Sequence, residues 1–263
     1  MPLVPDTTAM PASTFWQPRW PVPPHVKSVC TTRAGGVSQA PYTALNLGSH
    51  VGDDAQHVQQ NRKLLQQALV AHPVFLDQVH GTRIVRLSGT TPHGTQADGA
   101  TTQVPGLVCT VMVADCLPIL LCNRQGTQVA AVHAGWRGLA DGVLEAAVQA
   151  MQPSSAADFN AADILAWLGP CIGPQAFEVG DEVRAAFMQH SPAAARCFKP
   201  HGAHKWLADL GALAQQRLKL LGITLIYGND GSPSWCTVTN ATTFFSHRRD
   251  RISGRQAACI WLV

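Results

Sequence analysis

The sequence predicts a single α+β domain, and three observations predict it. Apolar runs of strand length recur from residue 27 to the C-terminus, stretches with helical spacing are interspersed among them, and no segment reads as a separable unit. A chain of 263 residues with 46% apolar side chains can bury a core without metals or disulfides. Only 13% of its residues are charged, against a usual ~25%, and a net charge of +3 is too mild to point to nucleic acid.

Residues 1–25 carry seven prolines and no hydrophobic period. They read as an extended N-terminal segment that orders only by docking onto a domain spanning 26–263. Residues 27–33 form a strand stopped by Gly35-Gly36. Asp53 or Asp54 caps a helix to about Val70, with Val58, Leu64, Leu65, Ala68 and Leu69 as its apolar stripe. Short strands over 74–80 and 82–87 surround Gly81. Residues 107–114 and 118–122 are apolar enough to be strands buried on both faces. A turn at 123–126 leads into a returning strand over 127–133, and 138–151 follows helical spacing.

Residues 152–163, rich in Ser, Ala and Asp, read as a linker. After it come a strand at 164–168, helices at 181–190 and 205–221, and strands at 223–227, 235–239 and 256–263. The longest apolar stretch, 106–122, is broken by Asp115 and Pro118 and falls short of the ~20 residues a membrane helix needs. No secretory signal pattern opens the chain, which reads as cytoplasmic. Its eight cysteines, none in a C-x-x-C pair, read as unpaired thiols.

Three turns combine a metal-capable side chain with a strand end: Asp77-Gln78-Val79-His80-Gly81, Ala114-Asp115-Cys116-Leu117-Pro118, and Val132-His133-Ala134-Gly135-Trp136-Arg137-Gly138. Side chains at such ends reach a shared pocket while the sheet holds them still. His80, Cys116 and His133 make an N,N,S donor set with a fourth tetrahedral position open, the pattern of a catalytic zinc site. Their spacing matches no short zinc motif. Taken singly they are better explained as a buried thiol and two satisfied histidines.

These turns belong to a longer series. Thr31-Thr32-Arg33-Ala34-Gly35-Gly36-Val37-Ser38 is followed by Leu45-Asn46-Leu47-Gly48, then by Gln78-Val79-His80-Gly81 and Ala97-Asp98-Gly99. Ala114-Asp115-Cys116-Leu117-Pro118-Ile119, His133-Ala134-Gly135-Trp136-Arg137-Gly138 and Leu168-Gly169-Pro170-Cys171-Ile172-Gly173-Pro174 continue it. Ser246-His247-Arg248-Arg249-Asp250 and Gly254-Arg255-Gln256 end it. In this order, over about 26–263, the chain resembles the YfiH/laccase-domain family.

That resemblance implies mixed, largely antiparallel sheets packed together with helices outside. It implies His80, Cys116 and His133 as metal ligands, with zinc as the metal and copper as the alternative. It implies purine nucleosides (adenosine, inosine, methylthioadenosine) and phosphate as small-molecule partners, with adenosine deamination as a second activity. No nucleic acid, membrane or obligate protein partner is expected. Bound zinc would lower the pKa of its water to about 7, which suits attack at the purine C6.

Asp115 has two readings, a proton shuttle or a residue that holds its turn. Arg33, Arg137 and Arg248 lie in turns where a guanidinium fork clamps phosphate or, equally, backbone carbonyls. Asn46 is a candidate for base or ribose contact, or a turn former. Where the family usually has an aromatic residue, this chain has His247. Cys171 and Trp136 sit near the same loops, and His201 and His204 read as surface residues.

Three other functions stay open. One is a cysteine hydrolase with Cys116 as nucleophile and His133 as base, editing peptidoglycan precursors. Another is a copper-dependent polyphenol oxidase. Eleven histidines without one His-x-His pair fit several copper centres poorly. The third is a non-catalytic, metal-stabilised binding protein.

Overall fold

A computed structural model describes residues 13–152 and 159–263 of the chain. Its central strands are apolar on both faces because each face is covered. One sheet holds five strands in the order β1 (Phe15–Trp16), β2 (Val26–Thr31), β14 (Gln256–Leu262), β6 (Leu107–Val113) and β3 (His72–Phe75). A second holds six, in the order β13 (Leu225–Gly228), β9 (Ile164–Leu168), β7 (Leu117–Asn123), β8 (Val129–Ala134), β5 (Gly99–Thr102) and β4 (Ile84–Arg86). A small third sheet pairs β10 (Glu178–Gly180), β12 (Lys205–Ala208) and β11 (Phe198–Pro200).

The strand period of two sorts these side chains into layers. Cys109 and Val111 of β6 meet Leu120 of β7 and Ala131 of β8 in the core between the two large sheets. The alternate residues Val108 and Met112 turn the other way, onto Leu65 and Leu69 of helix α1 (Ala55–Leu69). On the far side, Leu117, Ile119 and Leu121 pack under helices α2 (Trp136–Asp141), α3 (Val143–Ala150), α4 (Asp181–His190) and α5 (Leu210–Leu220). The result is a helix–sheet–sheet–helix stack of mixed α+β architecture, as expected.

Residues 13–25 dock, as their composition requires. Phe15 and Trp16 pair with Thr31 and Cys30, and the Trp16 ring lies 5.6 Å from Trp167 and 6.2 Å from Trp235 inside the inter-sheet core. Residues 1–12 of that segment, and 153–158 of the 152–163 linker, lie outside the described residues.

Several expected elements differ in detail. The helix read over 205–221 divides at Asp209, whose side chain caps α5 by accepting from Ala212 N at 2.8 Å; Lys205–Ala208 before it is a strand held between β10 and β11. The helix read over 138–151 breaks at Gly142, which sits at φ +102° between α2 and α3. Residues 235–239 form a turn with a single bridge from Cys236 to Cys171. The strand read over 74–80 ends at Phe75, leaving the loop that carries His80. The strand β5 was missed because Gly-Ala-Thr-Thr has no large apolar residue, although all four positions are buried. Asp54, not Asp53, caps α1, and Ala68 of its expected stripe is exposed. All eight cysteines are unpaired. Among the described residues no helix is long and apolar enough to cross a membrane.

Candidate metal and substrate site

Strand register puts the site residues side by side. Antiparallel β7 and β8 pair Leu117 with Ala134 and Pro118 with His133, so Cys116 emerges beside the end of β8. On the other side of β8, Gly99 pairs with Val132, and His133 N donates to Asp98 O at 2.7 Å. Cys116 occupies the Ala114-Asp115-Cys116 corner, where the chain leaves the five-stranded sheet and enters the six-stranded one. Asp115 makes that turn at φ +92°, a conformation that costs a non-glycine residue roughly 1–3 kcal/mol.

The His80 loop closes over this edge. His80 itself has φ +61°. Helix α2 begins directly beneath it, with room for no side chain. A Cβ on Gly135 would meet His80 Cδ2 at 2.7 Å and Cys116 Sγ at 3.2 Å, and one on Gly138 would meet Gly81 O at 2.7 Å. The glycines of the His133–Gly138 motif are thus explained by close approach.

The ligand atoms of His80, Cys116 and His133 lie within 4.8 Å of one another. His80 Nε2 is 3.7 Å from Cys116 Sγ. Tetrahedral zinc bond lengths to nitrogen and sulfur set this separation at about 3.6 Å, so the donor set fits such an ion. His133 Nδ1 faces Asp98 Oδ1 at 2.9 Å, which leaves Nε2 for the cluster.

The charges are matched to that use. Burial would raise the Cys116 thiol, but His133 and His80 beside it outweigh burial and bring it below the ordinary thiol range. Burial would lower His133, and the Cys116 thiolate and Asp98 together lift it above the usual imidazole value. For Asp98 burial is likewise overcome, by the hydrogen bonds from His133 and from the Gly81 and His80 backbone, which hold the carboxyl low. Both shifts run the same way, toward the thiolate on Cys116 and the imidazolium on His133.

A cleft of about 380 Å³ opens over the cluster, within the range of small-molecule sites. Met112, Ile172, Phe177 and Leu210 give it apolar walls, and Trp136 lines it beside the ligands. His50, His247, Arg248 and Arg255 also line it, and the two arginines make that part of the lining basic. Arg248 Nη1 donates to Glu178 O at 3.1 Å, and Arg255 Nη1 to Ser253 O at 2.8 Å. Nε and Nη2 of both arginines have no partner among the described residues. Burial, with Arg255 nearby, pushes His50 down, which favours its neutral form.

Of the residues singled out from sequence, His80, Cys116, His133, Asp115 and Arg248 share this cleft, as do Trp136 and His247. Asp115 is held on both oxygens: Oδ1 accepts from Thr237 Oγ1 and Oδ2 from Arg248 N, each at 2.6 Å. That geometry favours the turn-holding role over the proton shuttle.

Arg33, Asn46 and Arg137 are placed elsewhere. Arg33 stacks on Phe245 and spends its guanidinium on Thr43 O and Ala241 O, both at 3.0 Å. Asn46 is fully buried and binds Asp53 at 2.8 Å and Arg255 N at 2.9 Å, organising loops. Arg137 lies on the Trp136 ring at 4.4 Å and is exposed. Cys171 is buried, accepting from Asn229 Nδ2 at 3.4 Å, and His201 and His204 pair with Glu178 and Asp181 at the surface.

Sequence reasoning passed over the roles of Asp98, Gln78, His50 and Arg255. Gln78 pairs its side-chain amide with both backbone groups of Met112, at 2.8 Å each, and so fastens the His80 loop to β6. The signal for Asp98, Gln78 and Arg255 was present in the motifs that contain them; His50 had none.

Comparisons with known proteins show the family and the fold. A family model described as multi-copper polyphenol oxidoreductase laccase matches residues 27–263. The chain is 52% identical over 248 residues to purine nucleoside phosphorylase YfiH of Escherichia coli, covering 94% of this chain and 98% of that protein. It is 45% identical over 246 residues to a purine nucleoside phosphorylase of Pseudomonas aeruginosa, covering 93% and 97%. A crystal structure of a Neisseria meningitidis protein superposes with a TM-score of 0.89 at 45% identity, covering 95% of this chain and 99% of that one. YlmD from Geobacillus stearothermophilus superposes at 0.88 with 29% identity, covering 98% and 99%.

Proposed function

The chain belongs to the family described as multi-copper polyphenol oxidoreductase laccase, and within it we propose a zinc-dependent purine nucleoside phosphorylase with a second, adenosine-deaminating activity. The observation that carries this reading is one cleft lined both by an N,N,S donor set and by a pair of arginines with spare donors. The relatives named as purine nucleoside phosphorylases support it. Adenosine, inosine and methylthioadenosine are the proposed substrates, with inorganic phosphate as co-substrate.

His80 Nε2, Cys116 Sγ and His133 Nε2 are the proposed metal ligands, and a zinc ion held there supplies Lewis acidity at the floor of the cleft. The apolar walls accept the purine and exclude water from its faces. The spare donors of Arg248 and Arg255 hold phosphate as a doubly hydrogen-bonded anion beside the ribose. A phosphate oxygen then bonds to C1′ while the C1′–N9 bond breaks. The purine leaves with that electron pair and takes up, on nitrogen, the proton that the attacking hydrogen phosphate gives up. Asp115 acts through Arg248, by fixing its backbone.

A second reading has its own observation. Cys116, His133 and Asp98 also stand as nucleophile, base and orienting carboxylate, the order a cysteine hydrolase requires. His80, poised on the same sulfur, has no role in that scheme and favours metal.

The test is turnover by zinc-loaded protein with each nucleoside, with and without phosphate, followed by chromatography of the products. Free base that appears only with phosphate, and inosine from adenosine without it, support the proposal. Absence of both products overturns it. Cysteine-directed alkylation that zinc does not slow favours the hydrolase.

A further inference from the structure

We propose that Asp98 is the positioning residue that sets the metal-binding geometry, by gripping two ligand loops with one carboxylate. The inference rests on the reading of His80, Cys116 and His133 as metal ligands. Asp98 is fully buried and precedes β5, its backbone N donating to Arg83 O at 2.9 Å. Its Oδ1 accepts from His80 N at 2.8 Å and faces His133 Nδ1 at 2.9 Å. Its Oδ2 accepts from Gly81 N at 2.7 Å and Val79 N at 3.2 Å. Every side-chain bond of Asp98 thus goes to a ligand residue or to the neighbour of one.

Two consequences follow from that arrangement. The three backbone donors fold the 79–81 segment around the carboxylate and hold His80 in its left-handed conformation. The bond to Nδ1 fixes the His133 tautomer, keeping the lone pair of Nε2 toward Cys116. A carboxylate is required because four donors converge on two oxygens. An amide offers one oxygen, so its NH2 must face a donor. Turned toward His133, it would press Nδ1 into the acceptor role and move the proton to Nε2, the atom the metal needs.

The test is cobalt(II) titration of Asp98→Asn beside wild type, following the thiolate charge-transfer and ligand-field bands. Loss of such an outer partner weakens metal binding about 10- to 100-fold, and the ligand-field band should shift because the His133 nitrogen is no longer fixed. Leu120→Ala, in the inter-sheet core, lowers stability without touching the site and should keep wild-type affinity and spectrum. Unchanged affinity and spectrum in Asp98→Asn overturn the proposal. Wild-type protein that takes up no cobalt overturns the ligand reading as well. Should Asp98→Asn not fold, nitrogen-15 histidine spectra of zinc-loaded wild type decide: a proton on His133 Nδ1 supports the proposal, and metal on Nδ1 overturns it.

Discussion

The wall that carries His80, Cys116 and His133 and the wall that carries Arg248 and Arg255 differ in what holds their side chains. The first is built by register and close packing: β7, β8 and β5 set three neighbouring positions, and glycines admit the His80 loop to contact. The second is assembled from loops remote in sequence. Its arginines are anchored through one nitrogen to backbone carbonyls and keep the others free. A metal site needs its ligands within tenths of an ångström, whereas an anion site needs charge and two or three adjustable donors. Substitutions should accordingly act sharply on the first wall and gradually on the second.

The largest effect is expected from Cys116→Ala. Metal content by elemental analysis should fall to background, and turnover should fall on the order of a thousandfold, the several kcal/mol a Lewis acid supplies. The fold should survive, since the cluster adds little to a core closed by two large sheets. Next comes Gly135→Ala. Its methyl group overlaps His80 and presses on Cys116, an overpacking that costs about 1–3 kcal/mol. Metal affinity should fall while phosphate KM in fully loaded protein barely moves.

Arg255→Ala should do the reverse. Loss of a charge-assisted bond costs about 1.5–3 kcal/mol, so phosphate KM should rise about ten- to a hundredfold with metal content and adenosine deamination retained. Parallel loss of both activities would mean that Arg255 supports the whole cleft and not a phosphate subsite. The smallest functional effect is expected from Arg33→Ala. Thermal unfolding should show a loss of about 1–2 kcal/mol, from two solvent-exposed guanidinium hydrogen bonds and a stacked ring. Phosphate KM should not change.

The two walls also differ in how far the sequence reveals them. Continuous apolar runs made β6, β7, β8 and β14 readable, because each covers a core on both faces. The short β5 and β12 were not, since partners and not composition make them strands. The three proposed ligands were readable from the ordered motifs but not from their spacing, because strand register brings them together. Asp98 lay in a quoted motif, yet its role depends on the β5–β8 pairing, which no local signal encodes. Arg33 was expected in the cleft, where the structure instead brings Arg255. An arginine in a glycine-rich turn looks alike in both cases, and only the surrounding carbonyls decide where its donors go.

The most direct measurement follows oxygen. Zinc-loaded protein is given inosine and phosphate labelled throughout with heavy oxygen, and the products are weighed by mass spectrometry. A cleft in which phosphate itself attacks C1′ yields ribose 1-phosphate that retains every labelled oxygen, including the one bonded to carbon, and releases hypoxanthine only when phosphate is present. Unlabelled free ribose, formed at the same rate without phosphate, would contradict the account.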